Sequence, residues 1–233
     1  MSLTLFLHPL ASFCHKVLVA LYENGTPFAP RIVDFADDAS TAALLDQWPV
    51  GKIPVLHDAA RDRAVPETSI IIEYLARYYP GPVALLPEDG EARLEARLWD
   101  RFFDLYVHVP MQKIVADRMR AEGSKDPAGL AEAHRSLDMA YGMIEARLAA
   151  GAIVPGEAFT IADCAATPAL FYASIVHPFA PGQINLAAYF EELLARPSVR
   201  RTLEEARPYF HLYPFRDSMP RRFLDPEAAA RDG

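Results

Sequence analysis

A proline interrupts what otherwise reads as a buried strand, in Gly51-Lys52-Ile53-Pro54-Val55-Leu56, and it restricts the fold more than any other stretch of the chain. Proline has no N–H to give a sheet ladder, so an interior Ile-Pro belongs at an edge, a bulge or a tight turn. A cis Ile53-Pro54 bond in such a turn exposes the backbone of Ile53 as an unpaired donor and acceptor. An extended peptide can pair with it as a strand adds to a sheet edge. Eleven residues after Leu56 comes Glu67-Thr68, at the expected start of a helix, where free N–H groups and the helix dipole attract a carboxylate. Glu67 can receive an ammonium group and Lys52 a second carboxylate. The complementary ligand is extended, with a carboxylate at each end and an amino group at one of them.

The segments around this motif alternate. Leu3 to His8 reads as a strand stopped by Pro9, and Phe13, Val17 and Leu21 mark one face of a helix ending at Asn24-Gly25. Arg31 to Phe35 is a second apolar run, with a short helix expected near Ser40-Thr41. Strands follow through Ile53 to Leu56 and near Ala64-Val65, then a helix from about Thr68 to Tyr79. The order is βαβ followed by ββα, a small α/β sheet. Pro80-Gly81-Pro82 ends it and sets a boundary between domains at 1–80 and 88–224. Beyond lies an all-helical pattern. Glu91 to Glu122 is one long helix kinked at Pro110, and Leu130, Leu137, Ile144 and Leu148 mark a second. A third runs from Thr160 to Val176 and a fourth from Leu186 to Ala195. A fifth restarts at Arg196-Pro197-Ser198 with Ser198 as N-cap, and an irregular tail from Pro208 packs partly on the body and then frays.

A formal charge of −8 argues against nucleic acid or an anionic membrane as main partner. No basic segment precedes the short apolar N-terminus, no window has the apolar length of a transmembrane helix, and Cys14 and Cys164 belong to no CxxC or metal-type spacing. Free thiols in a reducing cytoplasm are the expectation. The histidines show no zinc-like spacing, so no metal is expected.

Glutathione has the shape of the complementary ligand, and the chain resembles the glutathione transferase superfamily over nearly its whole length. The resemblance is carried by His8-Pro9 through Lys16-Val17, Trp48 through Leu56, Pro66 through Leu75, and Phe159-Thr160-Ile161-Ala162-Asp163. It implies a thioredoxin-like domain joined to a helical-bundle domain. It further implies that Ile53 binds the cysteinyl backbone of glutathione beside a cis Pro54, that Glu67 and Thr68 hold the γ-glutamyl end, and that Lys52 holds the glycyl carboxylate. Thr160 and Asp163 stand at N-cap and N3 of their helix, a structural pair rather than a catalytic acid.

A thiol of pKa about 8.5 is mostly protonated at neutral pH, so a transferase must stabilise the thiolate. The resemblance puts the responsible group in the loop after the first strand, yet Ala11 occupies the position where several classes carry Ser or Cys. Ser12, next to it, is either the substitute donor to the sulfur or a plain helix N-cap. Cys14 is a structural cysteine or a redox thiol, and His15 and Lys16 form a solvated or ligand-adjacent pair. Phe103, Tyr106 and Met111, around Pro110, are expected to meet an apolar second substrate, with Tyr209, Phe210, Tyr213 and Phe215 closing over it. The implied activity is addition of glutathione thiolate, as co-substrate, to a hydrophobic electrophile, as in detoxification, in a homodimer. Thiol–disulfide or peroxide reduction through Cys14, and glutathione binding without catalysis, are the alternatives.

Overall fold

Alternation along Leu3-Thr4-Leu5-Phe6-Leu7 sends Leu3, Leu5 and Leu7 to one face and Phe6 to the other, and all four are buried. A strand buried on both faces needs helices on both, which is what the structure shows. It is a computed structural model that describes residues 2–156 and 159–225. Strand β1 (Leu3–Leu7) lies between β2 (Ala29–Ile32), which is parallel to it, and β3 (Val55–Asp58), which is antiparallel. β4 (Arg63–Pro66) completes the order β2-β1-β3-β4. Helices α1 (Ser12–Glu23) and α3 (Thr68–Tyr78) cover one face through Val17, Leu18, Leu21, Ile71 and Leu75. On the other face Leu44 of α2 (Asp38–Leu45) packs with Phe6, Val33 and Val55.

Two strands are displaced from expectation. β2 spans 29–32 instead of 31–35; it is an edge strand, and Ile32 and Phe35 of the apolar run stay exposed. β3 begins only at Val55, because the ladder starts beyond the proline. The connection after α3 is pinned to the end of α1. Asn24 Oδ1 accepts the Val83 N–H at 2.8 Å, and a Cβ on Gly81 would overlap the Asn24 side chain.

The helical part begins with α4 (Gly90–Phe102), N-capped by Asp89. The expected kink at Pro110 takes another form. Residues Phe103–His108 make a π-helical turn in which the Val109 N–H reaches back to Asp104 O, and Pro110 falls in the first turn of α5 (Val109–Met119). Proline has no N–H for the carbonyl of Tyr106, and the wide turn absorbs the break. α6 (Pro127–Ala149) follows, capped by Asp126. α7 (Ile161–Val176) is buried along nearly its whole length, with α8 (Ile184–Ala195) and α9 (Pro197–Ala206) beyond it. Arg196, not Ser198, stands at the N-cap position of α9, whose start no side chain caps; the Ser198 hydroxyl instead meets Glu23, which also takes a bidentate bond from Arg196 at 2.8 and 2.6 Å. The tail forms 3-10 turns at Arg207–Leu212 and Arg216–Ser218 and a short α10 (Arg221–Leu224); the fraying end expected after it lies outside the described residues.

His15 and Lys16 are buried, not solvated. Lys16 Nζ sits 2.6 Å from Asp100 Oδ1 and 2.7 Å from Asp104 Oδ2, and bonds Ser69 Oγ at 3.0 Å. This cluster ties α1 and α3 to α4 and the π turn. Breaking one partner of such a buried set costs about 3–5 kcal/mol, because the other charge is left without compensation. Among the described residues no helix is long and apolar enough to cross a membrane.

Candidate active site

The strand registers bring three chain segments to one end of the sheet. Phe6 pairs with Val55 and Val55 with Pro66, so the segment leaving β1, the segment entering β3 and the segment leaving β4 are neighbours. Ile53-Pro54 is cis, Pro54 is buried, and Ile53 is half-buried between the two sheet cores. Among the described residues no hydrogen bond engages the N–H or carbonyl of Ile53. Lys52 is exposed, and no described side chain pairs with its ammonium.

Across from Pro54, Glu67 sits at the N-cap of α3 with φ 68° and ψ 121°. This is the left-handed half of backbone space, where a non-glycine residue stores about 1–3 kcal/mol of strain. Its carboxylate caps nothing, and α3 has no acidic residue in its first turn. Thr68, the first helical residue, is buried. The opening of α1 is similarly bare: Ala11 is the N-cap, no side chain caps the helix, and the first turn has no acid. Both ends therefore offer free N–H groups and a positive dipole to the same region.

Ser12 is not the N-cap. Its Oγ lies 2.6 Å from Nε2 of His108, the last residue of the π turn, and the Phe13 ring stacks on the His108 ring at 3.8 Å and 5°. His108 is fully buried, and burial, then the neighbouring Lys16 and His15, push its pKa down to about 3. His15 donates from Nε2 to Pro9 O at 2.6 Å and is pushed down to about 4, also by burial. Both imidazoles are neutral at physiological pH. Cys14 is buried as well, which pushes its thiol up to about 12 against a weaker opposing bond from the His8 backbone. A thiol held there stays protonated and out of reach of solvent.

The three residues expected against an apolar second substrate do not share one surface. Phe103 on the π turn and Met111 on α5 are interior residues of the helical core, because both elements pack against α7, whereas Tyr106 is about half exposed beside Phe102. The tail aromatics pack on the body of the protein. Tyr209 sets its ring edge on His8 at 5.0 Å, Tyr213 packs on Tyr172 at 5.3 Å, and Tyr172 donates to Leu10 O at 3.0 Å. Phe210 is buried against Phe171. Nothing local in the sequence marks His108, since a lone histidine two residues before a proline carries no pattern.

Residues 11–77 match the glutathione S-transferase N-terminal domain family, and residues 127–213 match the C-terminal domain family. The chain belongs to the glutathione transferase superfamily. Glutathione S-transferase GstB of Escherichia coli is 26% identical over 193 residues, 81% of this chain and 91% of that protein. FtsZ-localized protein A of Caulobacter vibrioides is 30% identical over 220 residues, 88% of this chain and 92% of its own length. A glutathione S-transferase from Methylobacillus flagellatus, solved with glutathione bound, superposes with a TM-score of 0.78 at 25% identity, covering 86% of this chain and 98% of that one. The four-stranded sheet with α1 to α3 is thus the thioredoxin-like domain of this superfamily's fold, and the helices from α4 onward are its helical domain.

Proposed function

We propose that the chain binds glutathione across the bare end of its sheet and transfers the thiolate to a hydrophobic electrophile. The observation that carries this is the convergence there of an unpaired Ile53 backbone, an unpaired Lys52 ammonium and two uncapped helix N-termini. Ile53, beside Pro54, pairs with the cysteinyl backbone. Thr68 and the α3 amides take the γ-glutamyl carboxylate, Glu67 takes its ammonium, and Lys52 takes the glycyl carboxylate. The sulfur then lies toward the start of α1, where Ser12 is the hydroxyl able to donate to it. Tyr106 and the tail aromatics Tyr209 and Tyr213 remain the candidates for the electrophile side.

A buried, strongly protonated Cys14 weighs against the reductase alternative. Binding without catalysis is the second reading, favoured by Ala11 at the usual hydroxyl or thiol position. Calorimetric titration with glutathione tests the site; no detectable binding at millimolar ligand removes it. Conjugation of a chloroarene by wild type and by Ser12→Ala separates enzyme from binder: a loss of about tenfold or more in kcat/KM supports catalysis through Ser12. The cytoplasm suits its two free thiols. A homodimer would cover the exposed Leu94, Leu98, Leu105 and Val109, an apolar stripe on the outer side of α4, the π turn and α5. Light scattering at micromolar concentration tests it, with a mass of one chain as the contrary result.

A further inference from the structure

Ser12 has one proton, and its direction decides whether the hydroxyl helps or hinders a thiolate. With Ser12 Oγ and His108 Nε2 2.6 Å apart, one of the two groups donates to the other. If the imidazole carries its proton on Nδ1, Ser12 must donate to Nε2, and the hydroxyl faces the glutathione sulfur with lone pairs only. If the proton is on Nε2, Ser12 accepts, and its own proton is free for the sulfur.

Three observations select the second arrangement. His108 Nδ1 is buried and has no hydrogen-bond partner among the described residues. A buried N–H without a partner is among the rarest states in folded proteins, whereas a bare ring nitrogen leaves only a lone pair unmet. Phe13, stacked flat on the ring at 3.8 Å, and the π turn that ends at His108 restrict the ring's orientation, holding Nε2 toward α1. The Lys16 ammonium, fixed between Asp100 and Asp104, opposes a second proton on the ring. A neutral imidazole with one proton then has one satisfactory place for it.

We propose that His108 is a positioning residue that donates Nε2–H to Ser12 Oγ and so turns the Ser12 proton toward the glutathione sulfur. This rests on Ser12 as the sulfur-side donor. The residue comes from the helical domain and acts on a hydroxyl of the thioredoxin-like domain, so the activating group is complete only when the two domains are packed together. The thiol proton leaves to solvent on glutathione binding, and the Ser12 hydrogen bond stabilises the anion that remains.

Nitrogen NMR of the histidine rings in the wild-type protein reads the tautomer directly. Protonation of His108 at Nε2 is expected; protonation at Nδ1 overturns the proposal. The second measurement is the acidity of bound glutathione, followed by thiolate ultraviolet absorbance, together with the pH profile of kcat/KM. His108→Phe, which keeps the ring stack, should raise the apparent thiol pKa by about one unit and lower kcat/KM at neutral pH by about tenfold. The Kd for glutathione at high pH should move less than about twofold, because the peptide contacts are untouched. His108→Gln, with a donor near the place of Nε2, should recover most of the loss. The double variant with Ser12→Ala should be no worse than Ser12→Ala alone, since both remove one hydrogen bond. A Ser12→Ala protein with wild-type thiol acidity removes Ser12 from the mechanism. A loss in Ser12→Ala with none in His108→Phe removes only the role of His108. Should His108→Phe fail to fold, the tautomer and His108→Gln still decide.

Discussion

The N-terminus of α7 and those of α1 and α3 are built on opposite plans. At α7 every group is met: Thr160 Oγ1 accepts the Ala162 N–H, Asp163 Oδ2 takes the Thr160 N–H at 2.7 Å, and Tyr189 donates to Asp163 Oδ1 at 2.6 Å. All four residues are buried. At α1 and α3 no side chain caps the helix and no acid stands in the first turn. A helix end closed by its own chain has nothing left for a ligand, whereas one left open holds its amides ready for an anion. The α1 and α3 ends thus keep free the amides that the α7 end commits to its own chain.

Breaking the closed end should cost the most. Asp163→Ala leaves the Thr160 N–H and the Tyr189 hydroxyl buried without acceptors, so we expect about 4 kcal/mol lost in urea unfolding. Any glutathione affinity that survives should be unchanged once the folded fraction is accounted for. A loss below about 1 kcal/mol would mean that water or a neighbour replaces the carboxylate.

Acid should act at the open end. His15 and His108 are held neutral at about 4 and about 3, below their ordinary 6.5, so between those values and 6.5 the unfolded chain binds more protons than the folded one. Stability is then full above pH 6.5 and falls as pH drops through that value. From pH 7 to 5.5 each fully buried imidazole should remove about 1 kcal/mol, about 2 kcal/mol together. Urea midpoints across this range measure it, and His15→Gln should flatten the slope by about half. A slope unchanged in that variant would place the acid sensitivity elsewhere.

How much of this was legible in sequence follows from the range of each interaction. The βαβ-ββα order, the capping box at Thr160 and Asp163 and the segments around Ile53 and Glu67 are set by residues within a few positions of one another, and period-two alternation and proline chemistry expose them. Lys16, next to His15, reads as solvated because its partners Asp100 and Asp104 lie more than eighty residues away in the other domain. Ser12 was half legible: its chemistry was visible, its partner His108 was not. The displacement of Phe103 and Met111 into the core has the same origin, since a π turn shifts which residues face α7, and nothing in the local pattern announces one.

On the open side, Lys52→Ala and Glu67→Gln should leave stability within about 0.5 kcal/mol, as exposed positions without partners do. Each should weaken glutathione binding by about tenfold, the worth of one charge-assisted hydrogen bond at a partly exposed site. Wild-type affinity in both would dissociate the open ends from ligand capture.

The smallest effect separates strain from charge at one residue. Glu67 holds φ 68° at the mouth of α3, a conformation glycine adopts freely and glutamate does not. Glu67→Gly and Glu67→Gln remove the same carboxylate, but only the first relieves the backbone. If the left-handed turn is kept for the ligand, Glu67→Gly should unfold about 0.5–1 kcal/mol later than Glu67→Gln, net of glycine's own entropy cost. Both should bind glutathione about equally weakly, because both lack the partner for the γ-glutamyl ammonium. Equal stability of the two variants would show that the surrounding sheet end, and not the side chain's presence, sets the turn. Stronger binding by Glu67→Gly would show that the strain opposes the ligand instead of presenting the α3 amides to it.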